Sequence, residues 1–363
     1  MKIQEGENHM AFITGLLLVD APASALNNAG DIPGERYDNT VGVKSISTPA
    51  GRYPYVSAQA FRYWLRTTAQ ARVAGWKASP ILREKKIAYT TCDPITWWDD
   101  DLLGYMRAAP KPTKKEKEKS AEPAEEKDPL TRLSAFRVST LVSLLPVSLV
   151  EDWGVMARQE EGYPVPYVHQ FYRTTLQGLF SLDLHACGTF SYRNKSGYRN
   201  LDTHGRERAE QQGLIHLEEE KAFRLPLEER VRRVQGLFEA MARLEGGAKL
   251  GLHYTDVAPA FCLFAVTIGG NHLFAHIVDT DKDGFPVINQ GALTEALTIQ
   301  QDELLSDVYI GWVRGYRDAE RTRFEETFLK EFSGRAVHLD HPRRIYQKLI
   351  ADLAHADHAS WLA

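Results

Sequence analysis

Cysteine is scarce: Cys92, Cys187 and Cys262 are the only three in 363 residues, an odd number, far apart and without a Cys-x-x-Cys pair. That argues against a disulfide framework and a cysteine zinc site, and leaves three buried thiols as the expectation. No apolar run approaches the roughly 18 residues that a membrane span needs, and the polar start Met1–His9 is no signal-peptide core. The expectation is a cytoplasmic protein with no membrane partner. Charge of one sign is missing too: 44 Lys and Arg stand against 48 Asp and Glu, a formal −4, so any nucleic-acid signature must be local. The sequence has no G-x-x-x-x-G-K-[ST], no G-x-G-x-x-G after a strand, no H-E-x-x-H and no G-x-S-x-G. Their absence argues against a P-loop ATPase, a dinucleotide enzyme, a zincin and an α/β-hydrolase.

What is present is ordinary globular composition, 43% hydrophobic and 25% charged, long enough for one large domain or two small ones. Ala11–Val19 is too apolar and too short for anything but a buried strand or a short core helix, and its β-branched residues favour the strand. Ser57 is placed to cap a helix with Phe61, Trp64, Leu65 and Thr68 on one stripe, ending near Gly75. Further strands are expected at 87–91, 137–145, 178–190, 261–268 and 308–313. Further helices are expected from Pro226 to Gly246-Gly247 and from Pro342 towards the C-terminus. The order reads as α+β. Residues 110–128 hold six lysines and six acids without an aromatic or branched aliphatic residue, the composition of a solvated, mobile loop.

Charge is concentrated in residues 41–92, where nine basic residues stand against Glu84 alone, a local +8. On the helix after Ser57, Arg62 and Arg66 share a face with Gln59 one turn earlier, a face suited to a phosphate chain or simply to solvent. Before it lies a loop of small polar residues in which Ser24, Asn27 and Asn28 offer donors and Gly30 permits close backbone approach. A second polar stretch, 191–213, interleaves five basic residues with two tyrosines and three glycines; it suits single-stranded nucleic acid and equally a long loop packed on its own chain. A third, Gly246-Gly247-Ala248-Lys249, feeds a segment with His253. Other signals are weak. Asp279, Asp281, Asp283 and Gly284 begin like an EF-hand but meet Gln290 at the twelfth position. His272 and His276 sit in strand-like sequence, too far apart to chelate together. Asp99, Asp100 and Asp101 lack the second acidic motif of a two-metal site.

LVDAPASALNNAGDIPGERYDNTVGVKSI followed by YPYVSAQAFRYWLR resembles the DevR family of CRISPR-associated proteins, the repeated backbone subunit of type I Cascade complexes, here of type I-B-like character within the RAMP superfamily. WWDDDLLGYM at 97–106, YRTTLQGLFSLDLHACGTFSY at 172–192 and GGAKLGLHYTDVAPAFCLFAVT at 246–267 agree in order, so the resemblance covers most of the chain. It implies an α+β fold with a modified RRM, or ferredoxin-like, palm from 10–92, 130–192 and 246–320. An insertion would span 93–129, a thumb hairpin and helical insertion 193–245, and a C-terminal helical segment 321–363. The implied partners are crRNA, target DNA through the crRNA, copies of the chain in a helical filament, and the end-capping, large and small subunits. The guide pairs with target DNA, so the protein has no need to read sequence, and no RNP1 motif is present. Carried onto this chain, Ser24, Asn27, Asn28, Gly30 and Lys44 look like palm contacts to RNA. Gln59, Arg62 and Arg66 would hold phosphates, Arg193, Lys195, Tyr198 and Arg199 would lie in the thumb or its root, and Lys249 and His253 complete the RNA-binding set. No catalytic residue, metal or cofactor is expected. The alternatives are a type III-like RNase acting through Asp31 or Asp38 and a stand-alone regulator acting through RNA or DNA.

Overall fold

The computed structural model describes residues 10–31, 39–84, 87–107, 129–156, 165–195 and 197–362; the charged stretch 110–128 and Asp38 lie outside them. The frame is a large mixed sheet within an α+β fold. Its central strand, β1 (Ala11–Ser24), is flanked by Phe261–Ile268 on one side and by a 19-residue strand, Val165–Asp183, on the other. Beyond Phe261–Ile268 come Val308–Trp312 and Val337–Asp340. Beyond the long strand come Leu141–Ser143, β5 (Gly51–Val56) and β4 (Ser45–Thr48).

The apolar run of β1 follows from burial on both faces. Ile13, Leu17 and Val19 point into a core shared with Phe61, Trp64 and Leu65 of α1 (Ala58–Arg72), with Val234, Leu237 and Phe238 of the helix Leu227–Met241, and with Ile345 and Leu349 of the helix Pro342–Ala354. Leu16 and Leu18 point the other way, into a second core with Leu293, Leu297, Phe324 and Phe328. Gly15 interrupts the run for a steric reason: a Cβ there would stand 2.5 Å from Cβ of Phe264 and 2.6 Å from the Phe180 ring. α1 begins as its sequence requires, with Ser57 accepting from the amide of Ala60 at 3.3 Å, and its last turn gives way at Val73 before Gly75 turns the chain with φ +76°.

One expectation is corrected. The strand expected at 178–190 starts 13 residues earlier, at Val165, and ends at Asp183, because the alternation of side chains continues upstream; Phe190 belongs to a separate short strand, Thr189–Ser191. In the stretch 193–245, where the resemblance implies a thumb hairpin and a helical insertion, there is a short hairpin followed by a helix. Ile215–Leu217 and Ala222–Arg224 close a three-stranded sheet with Thr189–Ser191, and Leu227–Met241 is a core helix, because its Val234, Leu237, Phe238 and Met241 are fully buried. A second hairpin pairs Val150–Met156 with the first seven residues of the long strand, and Val150–Met156 is exposed along nearly all its length.

The acidic run after Trp97 is a structural hub. On α2 (Trp98–Leu103), Asp99 binds Arg66 Nε at 2.6 Å and the amide of Ser79 at 2.7 Å. Asp101 is fully buried between Arg132 and Arg233 and also accepts from the amide of Gly188. Asp100, equally buried, accepts from the amide of Asp93 at 2.9 Å, and burial lifts its carboxyl to about 6. A folded-state value above the ordinary 3.8 means that the folded protein prefers the protonated acid. The cost of carrying the charge is absent below about pH 4 and complete above about pH 6. Asp100→Asn is therefore expected to raise stability at pH 7.5 by up to about 3 kcal/mol and to match the parent at pH 4, read from urea midpoints at both pH values.

Candidate nucleic-acid interface

Four segments far apart in sequence meet where the long strand leaves the core. β2 (Asn28–Asp31) pairs with β3 (Thr40–Val43), and β3 runs parallel to the long strand with Thr40 opposite Val168 and Val41 opposite His169. The loop between β1 and β2 is pinned by its backbone: Leu26 O accepts from the amide of Ala248 at 3.1 Å, and Asn27 O from the amide of Lys44 at 3.0 Å. The 246–255 segment is pinned in turn to α1, because Gly246 lies flat on the Trp64 indole, where a Cβ would come within 2.2 Å of the ring.

This accounting divides the expected site residues. Ser24 is fully buried and bonded to Thr255 Oγ1 at 2.6 Å, so it holds the loop rather than offering a donor outward. Asn27 donates from Nδ2 to the Tyr55 carbonyl at 3.3 Å and ties the loop to the strand before α1. Asn28 accepts from the amide of Gly30 at 3.0 Å, an Asx turn that leaves Asn28, Gly30 and Asp31 exposed at the edge. Both backbone groups of Lys44 are bonded, to Asn27 and Tyr55, which fixes the base of a half-buried ammonium chain. Gln59 is exposed in the first turn of α1, a turn without acidic residues. Arg62 and Arg66, alike in sequence, differ in environment. Arg66 is neutralised by Asp99 and also donates to the Ser79 carbonyl at 2.6 Å. Arg62 keeps a buried Nε with no hydrogen-bond partner among the described residues.

Lys249 and His253 meet residues that sequence reasoning missed. Lys249, with φ +52°, brings Nζ to 2.6 Å from Nδ1 of His169. His253 stacks on Phe171 with ring centroids 5.0 Å apart, and its shielded Nε2 has no partner among the described residues. Tyr167 packs against His169 at 4.8 Å and lies across Gly154 of the hairpin. Tyr167, His169, Phe171 and the exposed Arg173 alternate along the long strand and so share one face. The signal that locates them is this period-2 pattern of aromatic and basic residues. Tyr254, next to His253 in the chain, is 79% exposed. Burial, with the Lys249 ammonium adding to it, holds both imidazoles below the usual histidine range, and burial lowers Lys249 as well.

Arg193, Lys195, Tyr198 and Arg199 are not brought to this face. Arg193 donates to the carbonyls of Glu219 and Glu220, Lys195 lies over the Tyr198 ring at 4.7 Å, and the Arg199 carbonyl accepts from the amide of Thr131. They follow the far end of the long strand, and the 14 steps from His169 to Asp183 alone span roughly 45 Å. Basic and aromatic composition could not tell such self-packing from a binding surface. Asp31 is exposed on the edge strand, its backbone paired opposite Val41.

What this arrangement offers is a row of cations and ring faces without a cluster of three or more metal-ligating side chains among the described residues. Such a surface suits backbone and stacking contacts with a single strand. Arg66→Gln is expected to cost on the order of 3 kcal/mol in urea unfolding, because Asp99 is left buried without its charge partner, and to leave nucleic-acid binding by the folded fraction unchanged. Arg62→Gln should do the reverse.

Comparison with known proteins places the fold. The chain is similar to a chain of a "CRISPR RNA-guided surveillance complex" with a TM-score of 0.50 and 12% identity, over 94% of this chain and 99% of that one. A chain of a "CRISPR RNA-guided surveillance complex, pre-nicking" gives the same TM-score at 11% identity, over 94% and 100%. No family profile matches the sequence, and no curated protein matches it either. The shared property is the fold, an α+β chain built on a large mixed sheet like that of a subunit of these complexes.

Proposed function

We propose that this chain is a non-catalytic, guide-RNA-binding backbone subunit of a type I CRISPR Cascade, DevR-like and close to type I-B. It would polymerise along crRNA beside end-capping, large and small subunits and support recognition of target DNA. The observation that carries the proposal is the likeness to the surveillance-complex chains over 94% of this chain, joined to a face of cations and aromatic rings at the root of a projecting hairpin. Topology supports an RRM-like palm. In chain order, β1, α1, Leu141–Ser143, Val165–Asp183, Leu227–Met241 and Phe261–Ile268 read βαββαβ. The four strands lie in the spatial order fourth, first, third, second, the arrangement of a ferredoxin-like split βαβ.

The chemistry of the face fits a subunit that accepts any spacer. Its cations and rings address phosphates and base faces, which every sequence presents. In this reading the hairpin formed by Val150–Met156 and Val165–Phe171 is the thumb, and Asn28, Gly30, Lys44, Gln59, Arg62, Lys249 and His253 remain the RNA-facing members of the expected set.

The test is to express the chain with its neighbouring genes and a CRISPR array, purify it by affinity and sequence the nucleic acid that comes with it. RNA of uniform guide length in an oligomer is expected. RNA cut at regular intervals would overturn the non-catalytic reading and send attention to Asp31 and Asp38, and recovery of duplex DNA or of no nucleic acid would overturn the subunit reading. Replacing Lys44, Arg62 and Arg173 together by glutamine should weaken single-stranded RNA binding alike for unrelated sequences. The slope of log affinity against log salt should fall by about two.

A further inference from the structure

The meeting of Lys249, His169 and His253 has a chemical oddity. An ammonium has only donors, so at 2.6 Å the Nδ1 of His169 is the acceptor and carries no proton. Across the Phe171 ring, His253 holds an Nε2 that is cut off from water and has no partner among the described residues, the kind of atom that a ligand oxygen completes. Lys249 is held with positive φ, a backbone state that side chains other than glycine rarely adopt and that marks functional positions more often than chance.

We propose that Lys249, His169 and His253 form a phosphodiester site that takes up protons as the RNA backbone enters it. The proposal rests on the RNA-binding reading above and adds its regulation. In the free protein two neutral imidazoles sit beside one ammonium, and a proton on either ring would meet the charge of Lys249. A phosphate oxygen changes the balance: it takes over the Lys249 ammonium as its acceptor, releases Nδ1 of His169 and rewards a positive charge on each ring. The groups that bear on His169 are Asp152 opposite it in the hairpin ladder, Tyr167 on its own strand, and Lys249 and His253 from the 246–255 segment. β3 brings Thr40 and Val41, and β2 brings Asp31 one strand further out. Asp152 favours the charged rings but is outweighed by burial and Lys249 while no anion is present. The free-site titration therefore lies below the ordinary histidine range and the bound-site titration above it. Affinity should rise as pH falls between the two.

The measurement is isothermal titration of the full chain with a single-stranded RNA oligonucleotide at pH 7 and fixed ionic strength, in buffers of different ionisation enthalpy, with a binding series from pH 8 to pH 6. Uptake of one to two protons per site is expected, with affinity about tenfold or more higher at pH 6 than at pH 8. His169→Gln and His253→Gln should each remove part of the uptake and flatten the pH series, so that each loses more affinity relative to the parent at pH 6 than at pH 8. RNA binding without proton uptake, or with uptake unchanged in both variants, would overturn the proton-linked site and leave the subunit reading standing. Failure to bind RNA at any pH would overturn both.

Discussion

One strand ties the core to everything that reaches out of it. Residues 172–183 of the long strand are paired with β1, with Ser24 opposite Tyr172 and Phe12 opposite Asp183, whereas residues 165–171 are paired with Val150–Met156 and β3. At about 3.3 Å per residue its 19 residues reach roughly 60 Å. Because side chains alternate strictly, the register that buries Leu176, Phe180 and Leu182 also decides which residues the projecting half presents. A slip of one residue would turn Tyr167, His169 and Phe171 to the opposite face and expose the core positions. The candidate face is thus specified by the packing of a core in which Phe180 and Phe264 close over Gly15 and Phe238 packs on both rings.

Placement of charge follows the same separation. Around α2, arginines are consumed internally: Arg132 and Arg233 hold Asp101, Arg66 holds Asp99, and Arg230 is fully buried against the carbonyls of Leu184, Cys187 and Leu362. These pairs fix α2 against the long strand's far end and the helix Leu227–Met241, where an unpaired charge would be costly. By contrast, Lys44, Arg62 and Arg173 have no ion-pair partner among the described residues, and burial together with the Lys249 ammonium holds His169 and His253 below the usual histidine range.

The fold was largely legible because its signals are local or periodic. The β1 run, the Ser57 cap with its Phe61, Trp64 and Leu65 stripe, and the limits of Phe261–Ile268 need only hydrophobic spacing and capping chemistry. The geometry of the candidate face was legible in part. Lys249 and His253 were visible as a basic group after a glycine pair, but their partners on the long strand are about 80 residues away and only pairing brings them together. Arg62 and Arg66 were indistinguishable at i, i+4 because what separates them is Asp99. Arg193 and Lys195 look like binding residues in composition and are satisfied by Glu219, Glu220 and Tyr198 in space. The glycines in 191–213 serve turns as well as they would serve a ligand.

The most direct test of where the nucleic acid lies is ultraviolet cross-linking of the RNA-bound chain, with the attached peptides read by mass spectrometry. Adducts on Tyr167, Phe171 or Tyr254, at the root of the hairpin, are the predicted result. Adducts confined to Tyr192 and Tyr198, at the far end of the long strand, would contradict the account.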